Sequence, residues 1–332
     1  MLKKGLVHGL ELLDRAYLGS SLGLGLEPCG VRGVVFHTVL KNESERENTS
    51  ILPHQAITIS QYRSFFSRLL SKNYRFLASS DLDSVNPNNG LFIYVSFDDG
   101  YFNNLKILPL IEEFEIPIHI FVATEYSARN RKYWWDVVYA EGNARGLTDQ
   151  EISGYISSLK LLKPHEIERK ISDQFGEAAW TPTGSLDRPL TIKELSEISK
   201  HPLITIGNHT HRHAISTNLS AKMFQQEIND AQQVLLEAIG CYPESFAFPN
   251  GDWSPEYLSV CEESGFKFAF GCDERIAFGP KEVGGLEKFR IGRYSISPNR
   301  SMVWQADMIR STHSLDRLIR RWWFGSREAR TA

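Results

Sequence analysis

The sequence is poor in cysteine, in net charge and in long apolar runs, and each shortage excludes a class of protein. Its four cysteines include no C-x-x-C pair, so they predict neither a structural zinc site nor a disulfide framework. The 37 basic residues are balanced by 40 acidic ones, so no broad positive field exists and we expect no nucleic-acid partner. No apolar run approaches the roughly 18 residues that a membrane-spanning helix needs.

The N-terminus also lacks the continuous apolar segment of a secretory signal. Lys3 and Lys4 stand at the start, but Glu11, Asp14 and Arg15 interrupt the apolar stretch that follows. If this is the intact N-terminus, we expect a cytoplasmic protein whose cysteines are buried thiols. The composition, with 42% apolar and 23% charged residues, is that of a folded globular chain with a substantial core.

Short apolar runs alternate with amphipathic helical patterns along most of the 332 residues. Strands are expected over 31–36, 91–97, 118–123, 203–206, 246–248, 268–270 and 291–296. Helices are expected over 105–114, 220–239 and 255–264, with one more behind the candidate cap Ser60. Strands separated by helix-length segments indicate a parallel α/β protein, and the length favours one closed, barrel-like sheet. Chemistry should then lie at the carboxyl ends of the strands.

Three segments depart from this alternation. We divide the chain into a preamble (1–30), a main domain (31–300) and a basic amphipathic tail (301–332). Within the domain, residues 140–188 become polar and helical, with Pro164 as a first helical residue, which predicts an insertion over one side of the barrel. One face of the tail is apolar: Leu315, Leu318, Ile319 and Trp322. We favour a tail helix that packs on its own domain, and the alternative is a peripheral contact with the inner face of an acidic membrane.

Two adjacent carboxylates, Asp98 and Asp99, follow the expected strand 91–97 and precede Gly100, which permits an abrupt turn. Adjacent side chains leave a strand on opposite sides, so one carboxylate can bind a metal while the other acts as a base on metal-bound water. An isolated Asp-Asp-Gly sequence is more often a simple turn. Its position behind an apolar strand favours a catalytic site instead.

Three histidines, His209, His211 and His213, follow the expected strand 203–206. We expect residues 209 and 213 to share one face of a helical turn, so that both imidazoles reach one cation. His211 would then point elsewhere, behind the site or into solvent. Two histidines and one aspartate leave coordination positions open for water and substrate, as catalytic metal sites do. Such a site suits Zn²⁺, with Co²⁺, Ni²⁺ and Mn²⁺ as alternatives.

These motifs resemble, in order and context, those of the polysaccharide deacetylase family, carbohydrate esterase family four. The likeness covers roughly residues 30–300 and rests on Ser96-Phe-Asp-Asp-Gly100, His209-Thr-x-x-His213, Phe36-His37, Trp134-Trp135-Asp136 and Phe246-Ala-Phe-Pro-Asn-Gly251. It implies a distorted (β/α) barrel whose catalytic domain holds a divalent metal, usually zinc, on Asp99, His209 and His213. Asp98 would be the general base for the metal-bound water that attacks the acetamide carbonyl. The metal and a backbone N–H near Asn250 would hold the oxyanion.

The chain departs from the family pattern at two places. Many members carry an arginine in the third motif to orient the base, where this chain has Ala247. Many also place a general-acid histidine on the last strand, and the last strand here contains none. A subgroup resembling exopolysaccharide N-deacetylases has an aromatic-His pair on the first strand, so we predict His37 as the acid, the alternative being a structural histidine. Charge complementarity predicts Arg293 as the group that orients Asp98.

A substrate platform is predicted beside these residues. Trp134 and Trp135 offer aromatic faces to a sugar ring, and Asp136 would accept its hydroxyl hydrogen bonds. Ordinary packing is the alternative for the two tryptophans. Pro249 and Asn250, from the third motif, complete the predicted substrate site.

The sequence therefore predicts a metal-dependent hydrolase that removes an N-acetyl group from an amino sugar. Its substrate would be a polysaccharide or a glycan precursor, such as a nucleotide- or lipid-linked sugar of surface polysaccharide biosynthesis. One alternative keeps the metal chemistry and changes the acyl group, to an O-acetyl ester, an N-formyl group or a non-sugar amide. The other is a metal-containing carbohydrate-binding module without turnover. The presence of Asp98 argues against it, because an inactive homologue could most easily lose the base.

Overall fold

The structure of the protein, a computed structural model, describes residues 27–47, 50–277 and 290–311. Most of the expected preamble lies outside these ranges. The apolar tail face also lies outside the described residues: Leu315, Leu318, Ile319 and Trp322. Within these ranges, no helix combines the length and the apolar character needed to cross a bilayer.

The regular elements alternate as the sequence predicts. The strands are β1 Gly30–Phe36, β2 Thr38–Leu40, β3 Ala56–Thr58, β4 Arg75–Phe76, β5 Leu91–Phe97, β6 Ile118–Val122, β7 Ile204–Asn208, β8 Ser245–Ala247, β9 Phe268–Phe270, β10 Ile276–Ala277, β11 Arg290–Ile291 and β12 Arg293–Ser295. The helices are α1 Ile59–Leu70, α2 Leu108–Phe114, α3 Thr124–Arg129, α4 Trp134–Ala144, α5 Asp149–Leu159, α6 Pro164–Phe175, α7 Ile192–Ile198, α8 Ala221–Ile239, α9 Pro255–Glu263 and α10 Met302–Arg310. Short 3₁₀ turns join several of them.

The main sheet is parallel and curls back on itself. Its strands pair in the order β1, β5, β6, β7, β8 and β9, and every one of these pairs is parallel. The expected last strand is divided at Gly292. Its first part, β11, pairs with β9, and its second part, β12, pairs with β1. Pairing thus returns to the first strand, which gives the distorted (β/α) barrel that the sequence predicts.

Alternation along β5 separates the barrel interior from the helical layer. Three of its side chains pack outward in the large core cluster with the helices: Ile93, Val95 and Phe97. Two belong to the cluster inside the barrel: Phe92 and Tyr94. The same two-residue period carries Asp98 to the interior side at the carboxyl end of the strand, where it is 3% exposed.

Helix α1 covers the outer face of the sheet. It begins behind Thr58, whose side chain forms a capping box with Gln61, so the predicted cap Ser60 is wrong by two positions. Its buried face is aromatic and apolar: Tyr62, Phe65, Phe66 and Leu69. Helix α10, at the start of the predicted tail, joins α1 through a two-bond ion pair between Arg68 and Asp307 at 2.9 and 2.8 Å. Its side chains enter the same core cluster.

Helices α5 and α6 and the end of α4 lie within the predicted insertion, 140–188, and Pro164 is the first residue of α6 as expected. Side chains of these helices form part of a separate apolar cluster at the carboxyl end of the sheet. Two hydrogen bonds tie the start of α4, which precedes the predicted insertion, to the turn after β5. The Tyr133 hydroxyl donates to the backbone carbonyl of Asp99 at 2.7 Å, and Trp135 Nε1 donates to the Tyr101 hydroxyl at 2.8 Å. The insertion therefore forms part of the wall around the strand ends.

Candidate active site

Asp98, which directly follows β5, and Arg293, the first residue of β12, form a buried ion pair. Arg293 Nη1 and Nη2 donate to the two carboxylate oxygens of Asp98 at 2.6 and 2.8 Å. The remaining donors of the guanidinium contact Ser96 Oγ, the Gly271 carbonyl and, at 3.8 Å, Cys272 Sγ. Arg293 is 0% exposed, and these contacts together fix the orientation of its guanidinium group. The structure thus places Arg293 where charge complementarity predicts it.

The ion pair determines the protonation state of Asp98. Burial is the largest single influence and would raise the pKa of this carboxyl, but the Arg293 guanidinium, together with His209 and His37, holds the pKa below its ordinary value. Burial likewise disfavours charged Arg293, and the Asp98 carboxylate more than offsets this, so the pKa of Arg293 is raised. Asp98 is therefore an ionised carboxylate with a defined orientation.

Asp99 points away from this pair, toward two histidines. Its backbone is left-handed (φ 74°), which turns the side chain off the strand direction. Its Oδ1 atom lies 3.3 Å from His213 Nε2 and 3.6 Å from His209 Nε2. Burial would raise the pKa of Asp99, but the two imidazoles lower it well below its ordinary range. The two neighbouring carboxylates thus face different partners, as their adjacency predicts.

The two histidines converge through a loop, and the helical turn predicted for them is wrong. Residues 209–215 are not helical, and Thr210 and His213 adopt left-handed conformations (φ 64° and 52°). Side chains hold this loop: Asn208 Oδ1 accepts from the Thr210 N–H, and Thr210 Oγ1 accepts from the Ala214 N–H, both at 2.8 Å. His211 turns away from the site, and its Nδ1 lies 2.9 Å from Thr124 Oγ1.

The Asp99, His209 and His213 side chains fit a divalent metal ion. One ligand atom from each residue lies within 4.8 Å of the others. His209 Nδ1 donates to the Ala247 carbonyl at 2.8 Å, which leaves Nε2 unprotonated and directed toward Asp99. Neither carboxylate oxygen of Asp99 has a hydrogen-bond partner among the described residues, although both are buried. Unpaired buried acceptors are costly, so their convergence indicates a cation site.

A cavity of about 370 Å³ opens over these groups. It is lined by Asp98, Asp99, His209 and His213, and His37 from the end of β1 also contributes to its wall. Burial lowers the pKa of the His37 imidazole, while the charges of Asp99 and Asp98 oppose that effect. His37 is fixed in the chain by its own carbonyl, which accepts a 2.6 Å hydrogen bond from Asn104 Nδ2. The predicted acid, base and metal ligands therefore share one cavity.

The predicted substrate residues divide into two groups. Trp134, Trp135 and Asn250 line the cavity. The Trp135 ring also packs edge-on against His213, with ring centres 4.6 Å apart. Asp136 lies behind the wall, which differs from the predicted role: it is 0% exposed and accepts from the Tyr101 hydroxyl at 2.6 Å and from the Leu52 N–H at 3.2 Å. Pro249 is buried too and does not line the cavity.

Sequence reasoning missed much of the cavity lining, including the polar residues Gln55, Lys160 and Cys272. The side-chain oxygen of Gln55 is buried and has no hydrogen-bond partner among the described residues. Burial raises the pKa of the Cys272 thiol to about 11, so this cysteine is protonated at neutral pH. None of the three stands in a motif, and the sequence offers no spacing that would have indicated them.

Comparison with models of known protein families shows which family the chain belongs to. The model of the polysaccharide deacetylase family matches residues 86–269, more than half of the chain. The chain belongs to the polysaccharide deacetylase family. The matched segment contains Asp98, Asp99, His209 and His213, whereas His37 and Arg293 lie outside it.

Solved structures show the same fold. IcaB from Ammonifex degensii is 15% identical with a TM-score of 0.58, and the alignment covers 86% of this chain and 99% of IcaB. The Streptococcus pyogenes deacetylase PplD, solved in complex with acetate, is 15% identical with a TM-score of 0.56 and the same coverage. The deacetylase domain of BpsB from Bordetella bronchiseptica is 15% identical with a TM-score of 0.52, over 81% of this chain and 96% of that domain. A comparison with curated protein sequences gave no significant match.

Proposed function

We propose that this protein is a metal-dependent hydrolase that removes an N-acetyl group from an amino sugar in a polysaccharide or glycan precursor. One observation carries the proposal. A single cavity holds an oriented, ionised carboxylate, Asp98, beside a carboxylate-imidazole cluster whose buried acceptor atoms have no protein partner. Membership of the polysaccharide deacetylase family supports the acyl group and the sugar.

Asp99, His209 and His213 would hold the metal, and three protein ligands leave positions open for water and substrate. When bound, a divalent ion such as Zn²⁺ supplies a Lewis acid that polarises the acyl carbonyl and makes water more acidic. Co²⁺, Ni²⁺ and Mn²⁺ suit the same nitrogen and oxygen donors. The tautomer of His209 is already fixed by the Ala247 carbonyl, so the site is prepared before a cation binds.

Asp98 takes a proton from the attacking water while the water oxygen bonds to the acetyl carbon. Arg293 holds both carboxylate oxygens of Asp98, so the base stays ionised and keeps its direction. His37 in its protonated form, which the charges of Asp99 and Asp98 favour against burial, then donates a proton to the sugar nitrogen as the carbon–nitrogen bond breaks. Acetate and a free amine leave, and the two proton transfers balance.

Trp134, Trp135 and Asn250 line the cavity and would contact the sugar that carries the acetyl group, the two tryptophans through their small exposed edges. Aromatic side chains complement the apolar faces of a pyranose ring, and an amide offers both hydrogen-bond roles to its hydroxyls. The acetate complex of the structurally similar deacetylase PplD is in keeping with acetate as the product here.

Acetate release from zinc- or cobalt-loaded protein is the direct test. The substrates are N-acetylglucosamine oligomers and nucleotide-linked N-acetyl sugars, with O-acetyl and N-formyl sugars in parallel. Asp98→Asn should abolish turnover while the protein keeps its metal, and His37→Gln should reduce turnover about 10²- to 10⁴-fold. His211→Gln is the matched control, because His211 lies on the same loop and faces away from the cavity. Metal binding without release of any acyl group would favour a carbohydrate-binding module.

A further inference from the structure

Lys160 brings a positive charge into the active-site cavity from the helical insertion. It follows α5 directly, and its side chain reaches across to the third-motif loop, where Nζ donates to Asn250 Oδ1 at 2.7 Å. It lines the same cavity as Asp99 and His213. A helix-end lysine that served only the helix would not need this contact with a residue 90 positions away.

The turn that carries Lys160 is held in place on both sides. Asn218 Nδ2 donates to the carbonyls of Lys160 and Leu162 at 2.7 and 3.2 Å, which anchors the backbone. Asn250 Nδ2 donates to Asp252 Oδ2 at 2.5 Å, so the amide oxygen of Asn250 is the atom left to face the ammonium. Asn250 Oδ1 therefore accepts from the Lys160 ammonium, and among the described residues this ammonium forms no ion pair with a carboxylate.

The charges around the cavity are not balanced once a divalent ion is present. Asp98 is neutralised by Arg293, and Asp99 faces the metal-binding imidazoles. Within the described ranges, Lys160 has no carboxylate in salt-bridge contact, and its hydrogen-bond partner is the neutral Asn250 amide. Asp98 and Asp99 together offset Arg293 and Lys160, so a divalent ion would leave two excess positive charges. An excess remains even when Asp252 is counted.

An ammonium in this setting favours an anion. Lys160 lines the cavity while its side chain stays exposed, so a negative group on a bound substrate can reach the ammonium directly. Lysine has three donors, and Asn250 uses one of them. Charge-assisted hydrogen bonds are roughly twice as strong as neutral ones, and they strengthen further when a substrate displaces water from the cavity.

We propose that Lys160 is a specificity-determining residue that binds an anionic group, a phosphate or a carboxylate, on the substrate near the acetylated sugar. This inference rests on the proposed function, since it assigns the substrate class of the same site. It makes the protein selective for charged glycans or charged precursors over neutral N-acetylglucosamine chains. The helical insertion then supplies the selectivity, and the barrel supplies the chemistry.

The test compares three acetylated substrates: neutral N-acetylglucosamine oligomers, a nucleotide-linked N-acetyl sugar and an N-acetylhexosamine that bears a carboxylate. The measured quantity is kcat/KM for each, in the zinc-loaded wild type, Lys160→Met and Lys160→Arg. In Lys160→Met the ratio of anionic to neutral kcat/KM should fall about 10-fold or more, mainly through KM. Lys160→Arg should retain most of the preference. The anionic substrate whose kcat/KM falls in Lys160→Met shows whether Lys160 binds a phosphate or a carboxylate.

Lys163→Met is the control, because it removes the same charge three residues away, outside the cavity lining. It should leave the ratio unchanged. An equal loss on neutral and anionic substrates in Lys160→Met would overturn the inference, as would a wild type that prefers neutral oligomers.

Direct binding separates this inference from the proposed function. Calorimetry on the same sugars reports the role of Lys160 without turnover, so the absence of acetate release would refute the deacetylase proposal alone. Weaker binding of the anionic sugars by Lys160→Met, relative to the neutral oligomers, is the expected result. Identical relative affinities in wild type and Lys160→Met would refute the role of Lys160 alone.

Discussion

Replacing the arginine of the buried Asp98–Arg293 ion pair should lower the free energy of unfolding far more than replacing the arginine of an exposed ion pair. Arg293→Met keeps much of the side-chain volume but eliminates every donor of the guanidinium. The Asp98 carboxylate, 3% exposed, then loses two charge-assisted hydrogen bonds, and only its cavity side can be hydrated. Ser96 and the Gly271 carbonyl lose a donor at the same time.

The expected loss is about 3–5 kcal/mol of unfolding free energy at pH 7, because breaking a buried pair leaves an uncompensated charge. Asp98→Asn alone should cost less, about 1–3 kcal/mol, since the amide oxygen still accepts from Arg293. The double variant Arg293→Met/Asp98→Asn removes both charges. Its loss should be smaller than the sum of the single losses, with a coupling on the order of 2 kcal/mol.

Urea unfolding of the metal-free proteins at pH 7 measures these losses, with unchanged m-values as the condition for comparing midpoints. Arg63→Met is the matched control. Arg63 makes the same two-bond contact with Glu113, at 2.5 and 2.6 Å, but both side chains are about half exposed. Its removal should change stability only slightly. If Arg293→Met were no worse than Arg63→Met, or if the double variant were additive, the electrostatic account of this pair would be refuted.

Three further predictions follow from the described geometry. Saturating zinc at about 100 times its Kd should raise the unfolding free energy of the wild type by about 2.7 kcal/mol. Asp99→Asn, which tolerates the left-handed backbone, should abolish that zinc effect in thermal denaturation. Gly251→Ala should lower stability by about 1–3 kcal/mol more than Gly146→Ala in urea unfolding. Both glycines have a positive φ, but an added Cβ at position 251 would lie 2.5 Å from a cysteine side chain, whereas nothing lies within 4 Å at position 146. The Arg188 hydrogen bond lowers the pKa of Glu194 from 4.5 to about 2, against burial. Ionised Glu194 therefore adds stability above pH 4.5 that is lost as the pH falls toward 2, so Glu194→Gln should flatten acid denaturation in that window and cost about 1 kcal/mol at pH 7.

Motifs at strand ends were predictable because strand patterns are local. The alternation of β5 predicted its bounds, 91–97, and with them the position of Asp98 and Asp99 at its carboxyl end. The loop after β7 was not predictable in shape. A spacing of four residues suggested a helical turn, but side-chain hydrogen bonds from Asn208 and Thr210 hold a loop with left-handed residues instead. Helix propensity carries no information about such contacts.

The residues that remote segments contribute to the cavity could not be predicted from the sequence for a different reason. Lys160 and Gln55 reach the site through a helix end and a 3₁₀ turn, and nothing in their neighbourhood of the sequence marks them. For Asp136 the error is the reverse, since the sequence predicted a substrate-binding residue and the structure buries it behind the cavity wall. It stands in a promising motif, but the first turn of α4 directs its carboxylate to Tyr101 and away from the cavity. Burial and partner choice are properties of packing, so spacing alone does not determine them.

The divided last strand brings together two residues of the proposed site that lie far apart in the sequence. Arg293 lies 195 positions after Asp98, and it reaches that residue because β11 docks on β9 while β12 docks on β1. Contacts of such large sequence separation form late, since much of the chain must be ordered before the loop closes. A chain in which this strand is undocked lacks the partner of the base as well as the closing strand of the ring. Under the proposed mechanism, we therefore expect no deacetylation from a partly folded molecule whose last strand is undocked.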